Sequence, residues 1–147
     1  MSNDFLPRFR NPELKLQALT DPSYVNENPR CGGDNERLEY LGDRILNSIV
    51  SHRLYVLYPC HQEGTLTVML SDLVNNIDLA KLARSIDLGK HLRLGRGVEL
   101  QNGRNNTKIL SRALEAVIGA YFLDSGYEAA SEYVQGLFAA IRFPVAC

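Results

Sequence analysis

Long apolar runs are missing from this 147-residue sequence. No stretch approaches the roughly eighteen apolar residues that span a bilayer, and the first residues lack the apolar core of a secretory leader, which argues against membrane-spanning and exported classes. Cysteine is scarce. Cys31, Cys60 and Cys147 are an odd number, widely spaced, with no CxxC pair, and His61 beside Cys60 has no further ligands at zinc-site spacing, so neither a zinc site nor a disulfide framework is expected, and reduced thiols in a cytoplasmic compartment are. Excess charge is absent too. A formal net charge of -1 and a pI near 6.3 give no overall field to gather phosphates, so any contact with nucleic acid must use a local basic patch and metal ions. There is no GxSxG and no Cys–His pairing to support a serine or cysteine hydrolase. Gly95-Arg96-Gly97 is too short for a dinucleotide loop, and His52, His61 and His91 have no acid or nucleophile at a suggestive spacing. Repeats, low-complexity segments and convincing strands are lacking as well.

What is present is helical periodicity. With 45% of its residues hydrophobic, the chain has material for one core, and it reads as a single all-α domain of about six helices over residues 1–147. Pro12 to Thr20 reads as a short helix capped by Asn11 and stopped by Asp21-Pro22. Tyr24 to Gly33 is polar and aperiodic, hence a loop. A long central helix is expected from Asp34 as N-cap to Tyr58, ended by Pro59. Leu66 to Val74 and Ile77 to Ile86 follow the i, i+3, i+4 pattern, the first with Thr65 as cap. Leu92 to Arg104 has no helical period and reads as a long surface loop. Lys108 to Leu123 is a helix whose small Ala116, Gly119 and Ala120 admit a close neighbour, and Tyr127 to Ile141 is the last.

The central helix carries an unusual charge pattern. At about 100° per residue, Leu38, Leu41, Ile45 and Ile49 fall within about 80° of one another, while Glu36, Glu39 and Asp43 share a stripe about 60° wide on another side. Three like charges on one stripe repel by a few tenths of a kcal/mol per pair when solvated, and by more when partly buried. A solvated outer face accommodates that repulsion; a divalent cation held by hard oxygen ligands relieves it.

Asn35-Glu36-Arg37-Leu38-Glu39-Tyr40-Leu41-Gly42-Asp43 resembles the signature of the ribonuclease III endonuclease domain. Leu114-Glu115-Ala116-Val117-Ile118-Gly119-Ala120-Tyr121-Phe122-Leu123-Asp124-Ser125-Gly126 is similar to the same family's second acidic helix, and Glu63-Gly64, Leu73-Val74-Asn75-Asn76, Leu88-Gly89 and Leu92-Arg93-Leu94-Gly95 fall in order between them. The resemblance covers about residues 14–138. It implies an all-α fold, a two-fold homodimer, and magnesium-dependent cleavage of double-stranded or structured RNA, with manganese as a substitute ion. It also implies that Glu39, Asp43 and Glu115 ligate metal, that Glu36 and Glu63 support the catalytic site, and that Tyr40 inserts into a pocket on the partner protomer. Arg93, Arg96, Arg104 and Lys108 are the candidates for contact with RNA phosphates. Many members carry a further double-stranded-RNA-binding domain for which this sequence leaves no room, so RNA affinity is expected from the dimer or from a partner protein.

One position departs from the pattern. Where the family carries aspartate, this chain has Arg112, three residues before Glu115. At i, i+3 the two share a helix face, and a fixed positive charge within a few ångströms of a dication opposes its binding by several kcal/mol at an intermediate dielectric, order of magnitude. Arg112 is expected either to weaken the metal site or to turn towards the RNA backbone as a phosphate contact. The alternative reading is a pseudonuclease that keeps the fold and binds RNA or a ribonucleoprotein without cutting.

Overall fold

A computed structural model describes residues 5–139. Among these residues eight α-helices run in the order α1 (Pro12–Ala18), α2 (Pro22–Glu27), α3 (Glu36–Leu57), α4 (Glu63–Val74), α5 (Asn76–Ser85), α6 (Arg96–Leu100), α7 (Thr107–Ser125) and α8 (Tyr127–Phe138). Two 3-10 turns, Leu88–His91 and Gly103–Asn105, flank α6. Among the described residues the β-structure amounts to an isolated bridge between Thr20 and Arg93, so the expected all-α class stands.

Several boundaries follow from caps. Asn11 and Asn106 each accept a hydrogen bond from the second or third helical N–H, which starts α1 and α7. Asp21, read from sequence only as the end of α1, accepts from the Ser23 N–H and begins α2 with Pro22 in its first turn. A helix therefore replaces the first part of the expected Tyr24–Gly33 loop, because Asp-Pro both terminates one helix and nucleates the next. The cap of α3 is Asn35 rather than Asp34. Its buried amide donates to the Ala18 carbonyl at 3.1 Å, fixing the start of α3 to the end of α1, while Asp34 accepts from the Glu36 N–H. α4 begins two residues before the expected cap Thr65, with Gln62 at its N-cap position. The expected Leu92–Arg104 loop contains α6. The Arg96 N–H donates to the Glu27 carboxylate at 2.6 Å and the Gly95 N–H to Ser23 at 2.9 Å, so long-range contacts rather than a sequence period define this helix. Ile141, the expected end of the last helix, lies outside the described residues.

α7 is the centre of the domain. Leu110, Ser111 and every residue from Ala113 to Ala120 are buried, and α3 packs along it, with α5, α1 and α8 around it. The buried stripe of α3 is Leu38, Gly42, Leu46, Ile49, Val50 and Leu54, rotated from the expected one so that Leu41 and Ile45 are only half-buried. The rotation has a local cause: α3 and α7 touch through glycine. A Cβ on Gly119 would meet the Leu38 carbonyl and the Gly42 amide, and one on Gly42 the Glu115 carbonyl, so only hydrogen at both positions admits this crossing. The small residues noted on α7 thus receive α3.

Cys31 is a free thiol. Cys60 is disulfide-bonded, which corrects the expectation of reduced thiols throughout. Cys147 lies outside the described residues. Among those residues no helix is long and apolar enough to cross a membrane.

Candidate active site

The glycine crossing brings the acidic stripe of α3 against α7. Glu39 and Asp43 lie one turn apart beside Gly42, and Glu115 lies one turn before Gly119. Together with Glu36, Tyr40, Asn76 and Arg112 they line an open cleft of about 450 Å3. Six of the residues singled out from sequence thus meet in one place: Glu36, Glu39, Tyr40, Asp43, Arg112 and Glu115. Glu63 does not join them within this chain; it lines a separate groove between the end of α3 and α4, with His52, Tyr55 and His61.

The electrostatics of the cleft follow burial. Glu115 is 8% exposed. Burial first, then the charges of Asp43 and Glu39 and a side-chain hydrogen bond with Asp43, push its carboxyl up to about 8, with Arg112 opposing. Glu39 is raised by burial, an effect that Arg112 opposes and that Glu36 and Asp43 reinforce. The Arg112 guanidinium stands 3.6 Å from the Glu39 carboxylate, so it has turned to Glu39 across the cleft rather than to Glu115 on its own helix. Arg44 pairs with Asp43 and lies 5.2 Å over the Tyr40 ring. Tyr40 itself is 66% exposed.

Magnesium is the ion the resemblance implies, and the donors can be tested against it. Glu39, Asp43 and Glu115 offer the hard carboxylate oxygens that magnesium takes, and the raised Glu39 and Glu115 carboxyls mark crowded negative charge that a dication relieves. In donor type the residues fit. As they stand, no three acids, histidines or cysteines among the described residues are grouped closely enough to hold an ion, and Arg44 and Arg112 pair with two of the carboxylates.

The basic candidates divide. Arg93 donates to the Thr20 hydroxyl at 3.0 and 2.9 Å and lies over the Tyr24 ring. Arg104 donates to the Gly89 and Leu92 carbonyls at 2.9 and 2.7 Å and pairs with Glu99 at 2.7 Å. Both hold the 92–105 segment together. Arg96 and Lys108 are exposed. Two residues at the cleft were given no role from sequence: Arg44, the residue after Asp43, and Asn76, quoted only as part of the family-like 73–76 run, whose Oδ1 accepts a 2.8 Å hydrogen bond from Ser111.

Fold and cleft together define an all-helical domain with a carboxylate-lined cleft between two crossed helices. Residues 11–141 match the family model described as Ribonuclease-III-like. The Ribonuclease 3 of Borreliella afzelii is 47% identical over 130 residues, 88% of this chain and 53% of that protein, and the Ribonuclease 3 of Myxococcus xanthus 48% identical over 132 residues, 89% and 51%. The crystal structure of the nuclease domain of ribonuclease III from Campylobacter jejuni superposes with a TM-score of 0.86 at 32% identity, covering 98% of this chain and all of that one. The chain belongs to the ribonuclease III-like family. It spans about half the length of the curated relatives it matches.

Proposed function

We propose that this domain is an endonuclease that cleaves double-stranded or structured RNA by metal-assisted phosphodiester hydrolysis. The observation that carries the reading is the convergence of Glu36, Glu39, Asp43 and Glu115 on one cleft in a chain whose relatives are named Ribonuclease 3. Four acids at one exposed cleft destabilise the metal-free protein, and a site kept for shape alone has no physical use for them. Glu39, Asp43 and Glu115 are the groups that would hold magnesium, with manganese as a substitute. When bound, the ion supplies charge stabilisation for an in-line displacement at phosphorus. The chain's own contributions are distinct. Glu36, at the open end of the stripe, keeps the cleft negative and helps draw a dication in. Arg112, once released from Glu39, has its donors free for a phosphate oxygen, and Arg96 and Lys108 add weak, salt-sensitive contacts along the duplex.

The active form in this reading is a two-fold homodimer in the cytoplasm. A second structure of the Campylobacter jejuni nuclease domain, TM-score 0.84 at 34% identity, is described as flexible in a region involved in dimer formation. In this chain Tyr40, Tyr55, Val56 and Val68 are exposed apolar residues on α3 and α4, and α4 has no buried residue of its own, as expected of surfaces that a second protomer covers. Glu63, remote from the cleft of its own chain, supports catalysis only in such an assembly. A separate RNA-binding partner protein would add affinity.

One observation favours a second reading. The Arg112–Glu39 pair neutralises a carboxylate needed for metal, which suits a pseudonuclease that binds RNA without cutting. Incubation with a long RNA duplex and magnesium or manganese separates the two. Cleavage by the wild type that disappears in Glu39→Gln supports the enzyme; no cleavage by the wild type, with activity gained in Arg112→Asp, establishes the pseudonuclease.

A further inference from the structure

Asn76 is the one neutral amide among the described residues that line the acidic cleft, and its placement is not accidental to packing. It is the first residue of α5, exposed at the cleft rim. Its Oδ1 accepts from the hydroxyl of Ser111 at 2.8 Å, and Ser111 is fully buried on α7, next to Arg112 in sequence. A buried hydroxyl without a partner is costly, so this bond locks the amide in one orientation. With Oδ1 taken, Nδ2 is the free end, and it has no hydrogen-bond partner among the described residues. A solvent-facing donor whose amide is oriented by a bond to the core is set up to exchange water for an acceptor that arrives from solution.

We propose that the Asn76 side chain donates to a non-bridging phosphate oxygen of the RNA strand bound in the cleft, with Ser111 as the positioning residue. The proposal rests on the RNA-cleavage reading and names a contact within it. Phosphate is the favoured acceptor because the rest of the cleft is carboxylate, which repels an anion unless donors such as Asn76 and Arg112 offset it. Arg112 brings charge and Asn76 brings direction, since fixing Oδ1 fixes the directions of the two amide N–H donors. The two sit on different helices, α5 and α7, so together they bracket one phosphate rather than act as a single flexible clamp.

The test uses Asn76→Ala in a Ser111→Ala background, which removes both polar partners at once and so leaves no buried hydroxyl unsatisfied. Binding to a fluorescent RNA duplex is measured in calcium across a salt series, beside thermal unfolding. The expected result is affinity about tenfold weaker than that of the wild type, with Ser111→Ala alone between the two because its amide is no longer held, an unchanged melting temperature, and an unchanged salt slope, whereas Arg112→Ala lowers the slope by about one phosphate contact. The defect persists on duplexes carrying 2′-deoxy nucleotides. If it vanishes there, Asn76 meets a 2′-hydroxyl and the proposal is overturned. Equal affinity with and without Asn76 overturns it too while leaving the RNA reading intact; absence of any binding by the wild type removes that reading and this inference with it.

Discussion

Replacing Gly42 with alanine tests the geometry on which the whole site rests. A methyl group at Gly42 would stand 1.7 Å from the carbonyl oxygen of Glu115 and 3.0 Å from the amide nitrogen of Gly119. Both are backbone atoms of α7, so no side chain can swing aside, and restoring ordinary contact parts the helices by roughly 1.7 Å. Two effects oppose each other. Alanine in a helix interior is favoured over glycine by about 1 kcal/mol, while overpacking a core costs about 1–3 kcal/mol and more when the backbone must move. The clash wins because α3 against α7 is the most extensive helix pair in the domain. A net loss of roughly 2–4 kcal/mol is expected, a fall in melting temperature on the order of 10 °C for a chain of this size. Gly136 is the control. It lies in the exposed part of α8 with open space around its Cα, so Gly136→Ala gains stability by up to about 1 kcal/mol. Both variants are followed by circular dichroism during heating. If Gly42→Ala unfolds at or above the wild-type temperature, the close crossing is wrong, and with it the distance across the cleft.

Other perturbations address the charges. Glu115 has a carboxyl raised from 4.5 to about 8, so the folded state holds a proton that the unfolded chain has already lost. In the metal-free protein the contribution of this group is therefore fully present below about pH 4.5 and is lost as pH rises through 8. Glu115→Gln, compared with wild type by thermal unfolding in chelator, flattens this dependence and gains roughly 2–4 kcal/mol at the alkaline end; parallel curves would contradict the burial argument. Arg104→Ala removes the side-chain donor of the Leu92 carbonyl and one of two donors of the Gly89 carbonyl, which keeps the Leu92 N–H, and costs about 1–3 kcal/mol. Arg96→Ala leaves stability within about 0.5 kcal/mol and instead reduces the salt slope of RNA binding; an Arg104 variant of normal stability would show that its outward charge matters more than its internal bonds. Asp124 is held below its usual range by hydrogen bonds from the Arg10 backbone N–H, then Ser125, with Asn11 contributing. The stabilisation is present above about pH 3.8 and is lost as pH falls through the lowered value. Asp124→Asn removes that acid-sensitive part, visible as faster amide exchange at Arg10 and Asn11 at neutral pH.

Helix existence is legible from periodicity because the long helices bury broad apolar faces, and their starts are legible wherever a side-chain cap is local, as at Asn11 and Asn106. The shortfalls share a cause. α6 depends on Glu27 and Ser23, which are remote in sequence, and no window contains both halves of such a contact. α2 does have a local signal, since Asp21-Pro22 has the same cap-plus-proline form as Asn11-Pro12, but a pair that ends one helix masks the start of the next. On α3 the acidic stripe and its partner Glu115 are visible as residues, while the direction of the buried face is not, because Gly42 contributes nothing to a hydrophobic pattern and yet decides which side meets α7. Arginine poses the opposite difficulty. Its charge suggests solvent or phosphate, and sequence does not disclose that Arg93 and Arg104 point at internal oxygens while Arg112 faces an acid across the cleft.

Because α3 and α7 meet main chain to main chain, the spacing of their acids is set by atoms that every amino acid possesses. Leu46, Ile49, Val117 and Ile118 can drift among aliphatics of similar volume without altering that spacing. Freedom to diversify the core and constancy at the cleft are thus separated in the architecture, and sequence divergence in this domain is expected to run through the aliphatic layers long before it reaches the distance between Asp43 and Glu115.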